Sequence, residues 1–262
     1  MSSPEWRILV TEPLDDRALA YLAENGTVAR STAEEVNAAV KAGDAPAELA
    51  SADALVVRTY TEVNQALLEL APKLKVVGRA GVAIDNIDVP ACRSRGVEVV
   101  HTPEANTLAV VDYTTRMMIE MNRRFWPMSG PMSPEDFHRE RKQTFGRFLA
   151  DLTLGIVGCG RIGSRVGRIA AAMGMRVLYN DLLDIEVDYA AEAVDKPTLY
   201  AESDVVTIHT SLNPTSRGLI DAEALARFKD GAQFINAARG QCVDYQDLAA
   251  ALKSGKLSYA VI

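Results

Sequence analysis

The 262-residue sequence predicts an α/β protein of two doubly wound domains. Three observations predict it. Strand-like and helix-like segments alternate through the first hundred residues. The same alternation resumes after residue 152. The second series opens with an apolar strand running into a G-x-G-x-x-G turn, then a helix, a second strand and an acid.

In the first domain the β-branched runs at 7–11, 27–29, 54–57, 75–77 and 97–100 read as strands, and helical periodicity falls at 15–24, 33–41, 65–70 and 89–95. Residues 106–124 form a long helical stretch that carries Leu108, Val111, Met118 and Met121 and leads into the second domain. The passage 125–149, with its Pro-rich run 126–134, is poor strand or helix material and reads as an excursion that packs on a partner subunit. The second domain has strands at 176–180, 205–209, 233–237 and 258–262, and helices at 162–173, 222–228 and 246–253. Two such halves are expected to leave a cleft between them, where ligands commonly bind.

Leu154-Gly155-Ile156-Val157 precedes Gly158-Cys159-Gly160-Arg161-Ile162-Gly163, and Asp181 ends the second strand. Each glycine has a physical task. Gly158 permits the tight turn, Gly160 has no side chain to block a pyrophosphate, and Gly163 lets helix and strand approach closely. The unpaired N–H groups of a helix beginning near Arg161 then face phosphate. A carboxylate at Asp181 accepts ribose hydroxyls and repels a 2′-phosphate. Leu182 and Leu183 follow it without an arginine, so the expected cofactor is NAD.

Composition narrows the partners. At 48% hydrophobic residues the chain can build real cores, and a net charge of −7 disfavours binding to nucleic acid or an anionic membrane. An anionic substrate therefore needs local arginines. Cys92, Cys159 and Cys242 are odd in number and share no metal-ligand or redox spacing, so no metal site is expected and a reducing cytoplasm fits. The start lacks a secretory pattern, and no apolar run reaches the ~20 residues of a membrane span.

Arg239, just past the strand in Phe234-Ile235-Asn236-Ala237-Ala238-Arg239-Gly240, offers a planar donor fork for the carboxylate and carbonyl of a 2-oxo acid. A strand-end arginine also serves as a surface ion pair. The small residues after 75–77, with Arg79, Gly81 and Val82, read equally as an anion-holding loop or a structural turn. Arg58-Thr59 makes a third strand-end pair. Of the three histidines, His209 lines the cofactor region, His138 is solvated and His101 caps a strand.

Taken together, Val57-Arg58-Thr59, residues 77–88, His101-Thr102-Pro103-Glu104-Ala105-Asn106-Thr107, the glycine loop and residues 236–240 resemble the D-isomer-specific 2-hydroxyacid dehydrogenases, D-3-phosphoglycerate type. The resemblance implies a flavodoxin-like substrate domain at 1–105, without its C-terminal return, and an NAD-binding Rossmann domain at 106–262, incomplete after Ile262. It implies a homodimer built through the cofactor domain and hydride transfer at C2 of a small D-2-hydroxy acid. Arg239 would bind the substrate carboxylate and polarise the C2 oxygen. Arg58, Arg79, Asn106 and the N–H groups at Gly81 and Val82 would hold the rest. Thr107, Gly158, Gly160, Arg161, Ile162, Gly163, Asp181, His209, Thr210 and Ala237 would surround NAD.

The chain departs from the family at Ala83, usually glycine, and at Asp112, commonly Glu. The family's nicotinamide-contacting Asp and its acid/base Glu and His would fall after Ile262. The sequence is therefore expected to be a fragment of a longer dehydrogenase, with its last strand presenting an open apolar sheet edge. The other reading is a catalytically silent NAD-binding sensor or corepressor-like protein.

Overall fold

A computed structural model describes residues 6–125, 127 and 130–262. The chain's first five residues, with the absence of a leader read from them, and Trp126, Met128 and Ser129 of the Pro-rich passage lie outside the described residues. The chain forms two compact units, Met1–Asn106 and Thr107–Ile262.

Unit one runs β1 (Trp6–Val10), α1 (Asp16–Asn25), β2 (Gly26–Arg30), α2 (Ala33–Ala42), α3 (Ala47–Ser51), β3 (Ala54–Val57), α4 (Gln65–Leu70), β4 (Val76–Arg79), α5 (Val89–Ser94) and β5 (Glu98–His101). The strands are all parallel in the order β2-β1-β3-β4-β5, the flavodoxin-like order. A parallel sheet is covered on both faces, which explains its apolar strands. Leu55, Val57 and Val77 pack with Leu67 and Cys92 on one side, and Ile8, Val10 and Ala54 with Leu19 and Leu22 on the other. Side chains start the helices. Thr32 and Glu35 form a reciprocal capping box on α2, Asn64 caps α4, and Asp88 caps α5.

Unit two runs α6 (Thr107–Asn122), α7 (Pro134–Glu140), β6 (Thr153–Val157), α8 (Gly163–Ala172), β7 (Arg176–Asn180), β8 (Glu192–Ala193), α9 (Lys196–Glu202), β9 (Val205–Ile208), α10 (Ala222–Arg227), β10 (Ala232–Asn236), α11 (Tyr245–Ser254) and β11 (Leu257–Val261). Its parallel sheet is ordered β11-β10-β9-β6-β7-β8. Renumbered within the unit, that is 3-2-1-4-5-6 read from the other edge, the Rossmann order. Buried Asn122 ties α6 to β10 by donating to Gln233 Oε1 at 2.8 Å.

Four elements go beyond the sequence reading: α3, α7, β8 and α9. Helix α7 corrects the reading of 125–149 as non-helical. Ser133 caps it by accepting from Asp136 N–H, and Pro134 stands at its start, where a missing N–H costs nothing. Strands β9 and β10 end one residue earlier than expected, so His209 and Ala237 lie just past them.

Candidate active site

Strand register assembles the second unit's site. Asn180, Val157, Ile208 and Asn236 are paired across the row β7-β6-β9-β10. The next residue of each strand therefore falls on one carboxyl-end lip, made of Asp181, Gly158, His209 and Ala237. This is where ligands of open α/β sheets bind.

The glycine loop fits a dinucleotide by three separate geometries. Gly158 has φ +93°, a conformation that side chains resist, and a β-carbon there would come within 2.9 Å of the His209 backbone. At Gly163 a β-carbon would meet the Gly158 carbonyl oxygen at 2.1 Å, so its absence sets the helix against the loop. Gly160 is the reverse: nothing lies within 4 Å of its β-carbon position. That open space is the cradle a pyrophosphate requires. Helix α8 begins at Gly163, slightly later than expected, and no side chain caps it, which leaves first-turn N–H groups for phosphate. Arg161 is exposed and Ile162 half-buried beside it.

Asp181 has a second task. Its Oδ2 accepts the Cys159 N–H at 2.7 Å and its Oδ1 accepts the Leu183 N–H at 3.0 Å, so the carboxylate also braces the glycine loop. His209 Nε2 pairs with Thr207 Oγ1 at 3.0 Å, while its Nδ1 is sealed from solvent with no hydrogen-bond partner among the described residues. Burial pushes the imidazole pKa from 6.5 down to about 4, so His209 is neutral at physiological pH. Thr210 Oγ1 lies 3.8 Å from Cys242 Sγ, and Thr107 is buried at the start of α6.

A sign follows for stability. The unfolded histidine takes up a proton near pH 6.5 and the folded one only near pH 4, so stability falls as pH drops through that window, by about 3 kcal/mol in all. Urea unfolding of wild type is expected to show this loss between pH 6.5 and 4, and His209→Gln to flatten it. An equal pH slope in the variant would contradict a neutral His209.

Past β10, Asn236 fixes the turn that carries Arg239. Its Oδ1 accepts the Ala238 N–H at 3.0 Å and its Nδ2 donates to the Arg239 carbonyl at 3.0 Å. Arg239 Nη1 donates to the Ala238 carbonyl at 3.0 Å. A cavity of about 440 Å³ opens beside Arg239, walled also by Val110, Tyr113, Ala237 and Tyr245. Sequence reasoning passed over Asn236 and Tyr113, whose places are set by the turn and by α6.

In unit one, Val57 pairs with Arg79 and Arg79 with His101, which sets Arg58 and Arg79 at the carboxyl ends of neighbouring strands. The loop after β4 differs in part from expectation. The Gly81 N–H is spent on the Arg79 carbonyl at 2.9 Å, and a β-carbon at Gly81 would fall on the Arg79 guanidinium. The expected ligand-facing Gly81 N–H is thus corrected to an internal bond, and the glycine's role is to let Arg79 lie across it. His101 Nδ1–H donates to the Val82 carbonyl at 2.8 Å and so tethers this loop, a role beyond strand capping. Ala83 does not take positive φ, so alanine fits there. Arg58 and Asn106 are exposed, and Arg58 borders a cavity of about 600 Å³ with Glu12, Arg30, Thr32 and Tyr60.

All three cysteines are buried and free. Among the described residues no group of His, Cys, Asp and Glu could hold a metal ion, and no helix is long and apolar enough to cross a membrane.

A flavodoxin-order unit followed by a Rossmann-order unit with a glycine cradle and a strand-end acid defines a two-unit, dinucleotide-binding α/β protein. Residues 115–262 match the family model of the D-isomer specific 2-hydroxyacid dehydrogenase, NAD binding domain. The chain belongs to the D-isomer specific 2-hydroxyacid dehydrogenase family, and its cofactor is NAD. It is 36% identical over 260 residues to a D-3-phosphoglycerate dehydrogenase of Methanocaldococcus jannaschii, covering 98% of this chain and 48% of that protein. To a hydroxypyruvate reductase of Thermotoga maritima it is 32% identical over 252 residues, covering 96% of this chain and 80% of the relative. A crystal structure of D-lactate dehydrogenase from Aquifex aeolicus, complexed with NAD and lactic acid, superposes with a TM-score of 0.78 at 26% identity, over 97% of this chain and 75% of that one. The chain spans about half the length of the D-3-phosphoglycerate dehydrogenase relatives that it matches nearly throughout.

Proposed function

We propose that the protein takes part in NAD-dependent hydride transfer at C2 of a small anionic D-2-hydroxy acid, with a 3-phosphoglycerate-like acid as substrate. The observation that carries this reading is Arg239, fixed by Asn236 one turn past the strand lip that holds the glycine cradle. NAD supplies the hydride acceptor, and residues of this chain hold the cofactor and the acid. Gly158, Gly160, Ile162 and Gly163 cradle the pyrophosphate with Arg161 alongside, Asp181 takes the ribose hydroxyls, and Thr107, His209, Thr210 and Ala237 line the site. Arg239 binds the carboxylate and draws charge from the C2 oxygen. Residues 1–105 serve as the substrate-binding domain, where Arg58, Arg79, Val82 and Asn106 bind the remaining anionic groups. The repeated strand-end arginines support a phosphorylated or dicarboxylate acid over lactate. Relatives named D-3-phosphoglycerate dehydrogenase support the same choice.

The test compares NADH oxidation by 3-phosphohydroxypyruvate, pyruvate and glyoxylate. Preference for the phosphorylated acid is expected, and preference for pyruvate or glyoxylate would replace the substrate assignment. Saturable NADH binding without turnover of any acid, in a chain that also carries the family's acid/base Glu and His, would favour the sensor reading.

A cytoplasmic role in serine biosynthesis is part of the same proposal. A homodimer through the cofactor domain is supported by apolar side chains left open on that unit: Leu108 on α6, then Phe125, Phe145 and Phe148. Sedimentation is expected to give a dimer, and a monomer at every concentration would contradict it.

A further inference from the structure

Glu12, just past β1, is buried, with 8% of its surface exposed. Its carboxylate accepts four consecutive backbone N–H groups of the loop after β3. Arg58 donates to Oε1 at 2.8 Å, Thr59 to Oε2 at 2.8 Å, Tyr60 to both oxygens at 3.1 Å, and Thr61 to Oε1 at 3.1 Å. Burial alone would raise the carboxyl pKa, but the N–H groups of Thr59, Arg58, Thr61 and Tyr60 outweigh it and hold it below the usual carboxylate range. The loop's carbonyls are held as firmly. Asn86 Nδ2 donates to the Arg58 carbonyl at 3.3 Å and the Thr61 carbonyl at 2.7 Å, and Asn37 Nδ2 donates to the Tyr60 carbonyl at 2.8 Å.

Two consequences follow. A run of N–H groups aimed at one point is an anion nest, and here the protein's own carboxylate fills it, so an external acid meets Arg58 only through its side chain. That side chain is braced at the same place, since Arg58 Nη1 donates to the carbonyl of Pro13, the neighbour of Glu12.

We propose that Glu12 is the positioning residue of the substrate-binding arginine: by clamping the backbone of 58–61 it presents the Arg58 guanidinium to the anionic end of the acid. This rests on the proposed role of Arg58. Replacing the carboxylate by an amide sets an NH₂ donor against N–H donors, so the loop must rearrange even though the side-chain volume is kept.

The experiment titrates 3-phosphoglycerate into protein saturated with NADH, a pair that cannot react. Arg58→Ala and Glu12→Gln are each expected to weaken the acid about tenfold or more, with NADH affinity unchanged. Because Glu12 acts through Arg58, the double variant is expected to bind the acid no worse than Arg58→Ala. General disordering of unit one would instead add its loss to that of Arg58→Ala, since Arg79 and the loop after β4 would also be disturbed. Wild-type affinity in Glu12→Gln alongside a weakened Arg58→Ala overturns the proposal, as do additive losses. An Arg58→Ala that binds normally overturns the substrate role of Arg58 itself. If Glu12→Gln fails to fold, Glu12→Asp, which keeps the charge on a shorter arm, is expected to show a smaller loss that is likewise absent when Arg58 is alanine.

Discussion

Gly160→Val is expected to leave thermal unfolding unchanged while lowering NAD affinity by about 100-fold or more. The two halves of this result have separate causes. Gly160 does not use positive φ, and no atom lies within 4 Å of its β-carbon position, so the folded chain accepts a β-carbon there without displacing anything. The space the valine side chain occupies is the approach to the uncapped start of α8, the proposed seat of the pyrophosphate. Gly163 supplies the contrast. A β-carbon there meets the Gly158 carbonyl oxygen at 2.1 Å, so Gly163→Ala strikes packing first and cofactor binding through it. Parallel calorimetry and NADH titration check the pair. Unaltered NADH affinity in Gly160→Val would remove the pyrophosphate from this loop.

In a chain that also carries the family's acid/base Glu and His, Arg239→Lys is expected to cut kcat/KM for the 2-oxo acid by about 100-fold or more, mostly in kcat, with NADH affinity preserved. A guanidinium can present two parallel donors to a carboxylate and a neighbouring carbonyl at once, whereas an ammonium is a single point of charge on a flexible stem. The turn that carries residue 239 is fixed through both polar atoms of the Asn236 side chain, so the backbone does not shift to compensate for the shorter reach. Steady-state kinetics decide the matter, and near-normal turnover would take Arg239 out of the reaction.

The cofactor unit was legible because its signals are local. Strand, three glycines, helix, second strand and acid fall within some thirty residues, and the glycines answer separate requirements: turn conformation at Gly158, close packing at Gly163 and open space at Gly160. Strands such as Ala54–Val57 were legible because a parallel sheet covered on both faces demands unbroken apolar runs. The missed elements lacked that contrast. Strand β8 is two exposed residues at a sheet edge, α3 is a five-residue helix between short loops, and Pro197 disguised α9. In α9 the N-cap Asp195, which accepts the Thr198 N–H at 2.8 Å, was the usable clue.

Glu12 was illegible for a different reason. Its partners lie 46 to 49 residues away in sequence, and a single acid after a strand reads as a solvated charge. The tether from His101 to Val82 spans 19 residues and was hidden in the same way. These loops of unit one are held by distant pairings, whereas the glycines of unit two stand together in one turn.

The most direct test of the central claim is equilibrium titration of the 262-residue chain with NADH and, separately, NADPH. Saturable NADH binding, with NADPH at least about tenfold weaker because its 2′-phosphate meets the Asp181 carboxylate, is the expected result. Equal affinity for the two, or no saturable binding of either, would contradict an NAD site on the lip formed by Gly158, Asp181, His209 and Ala237.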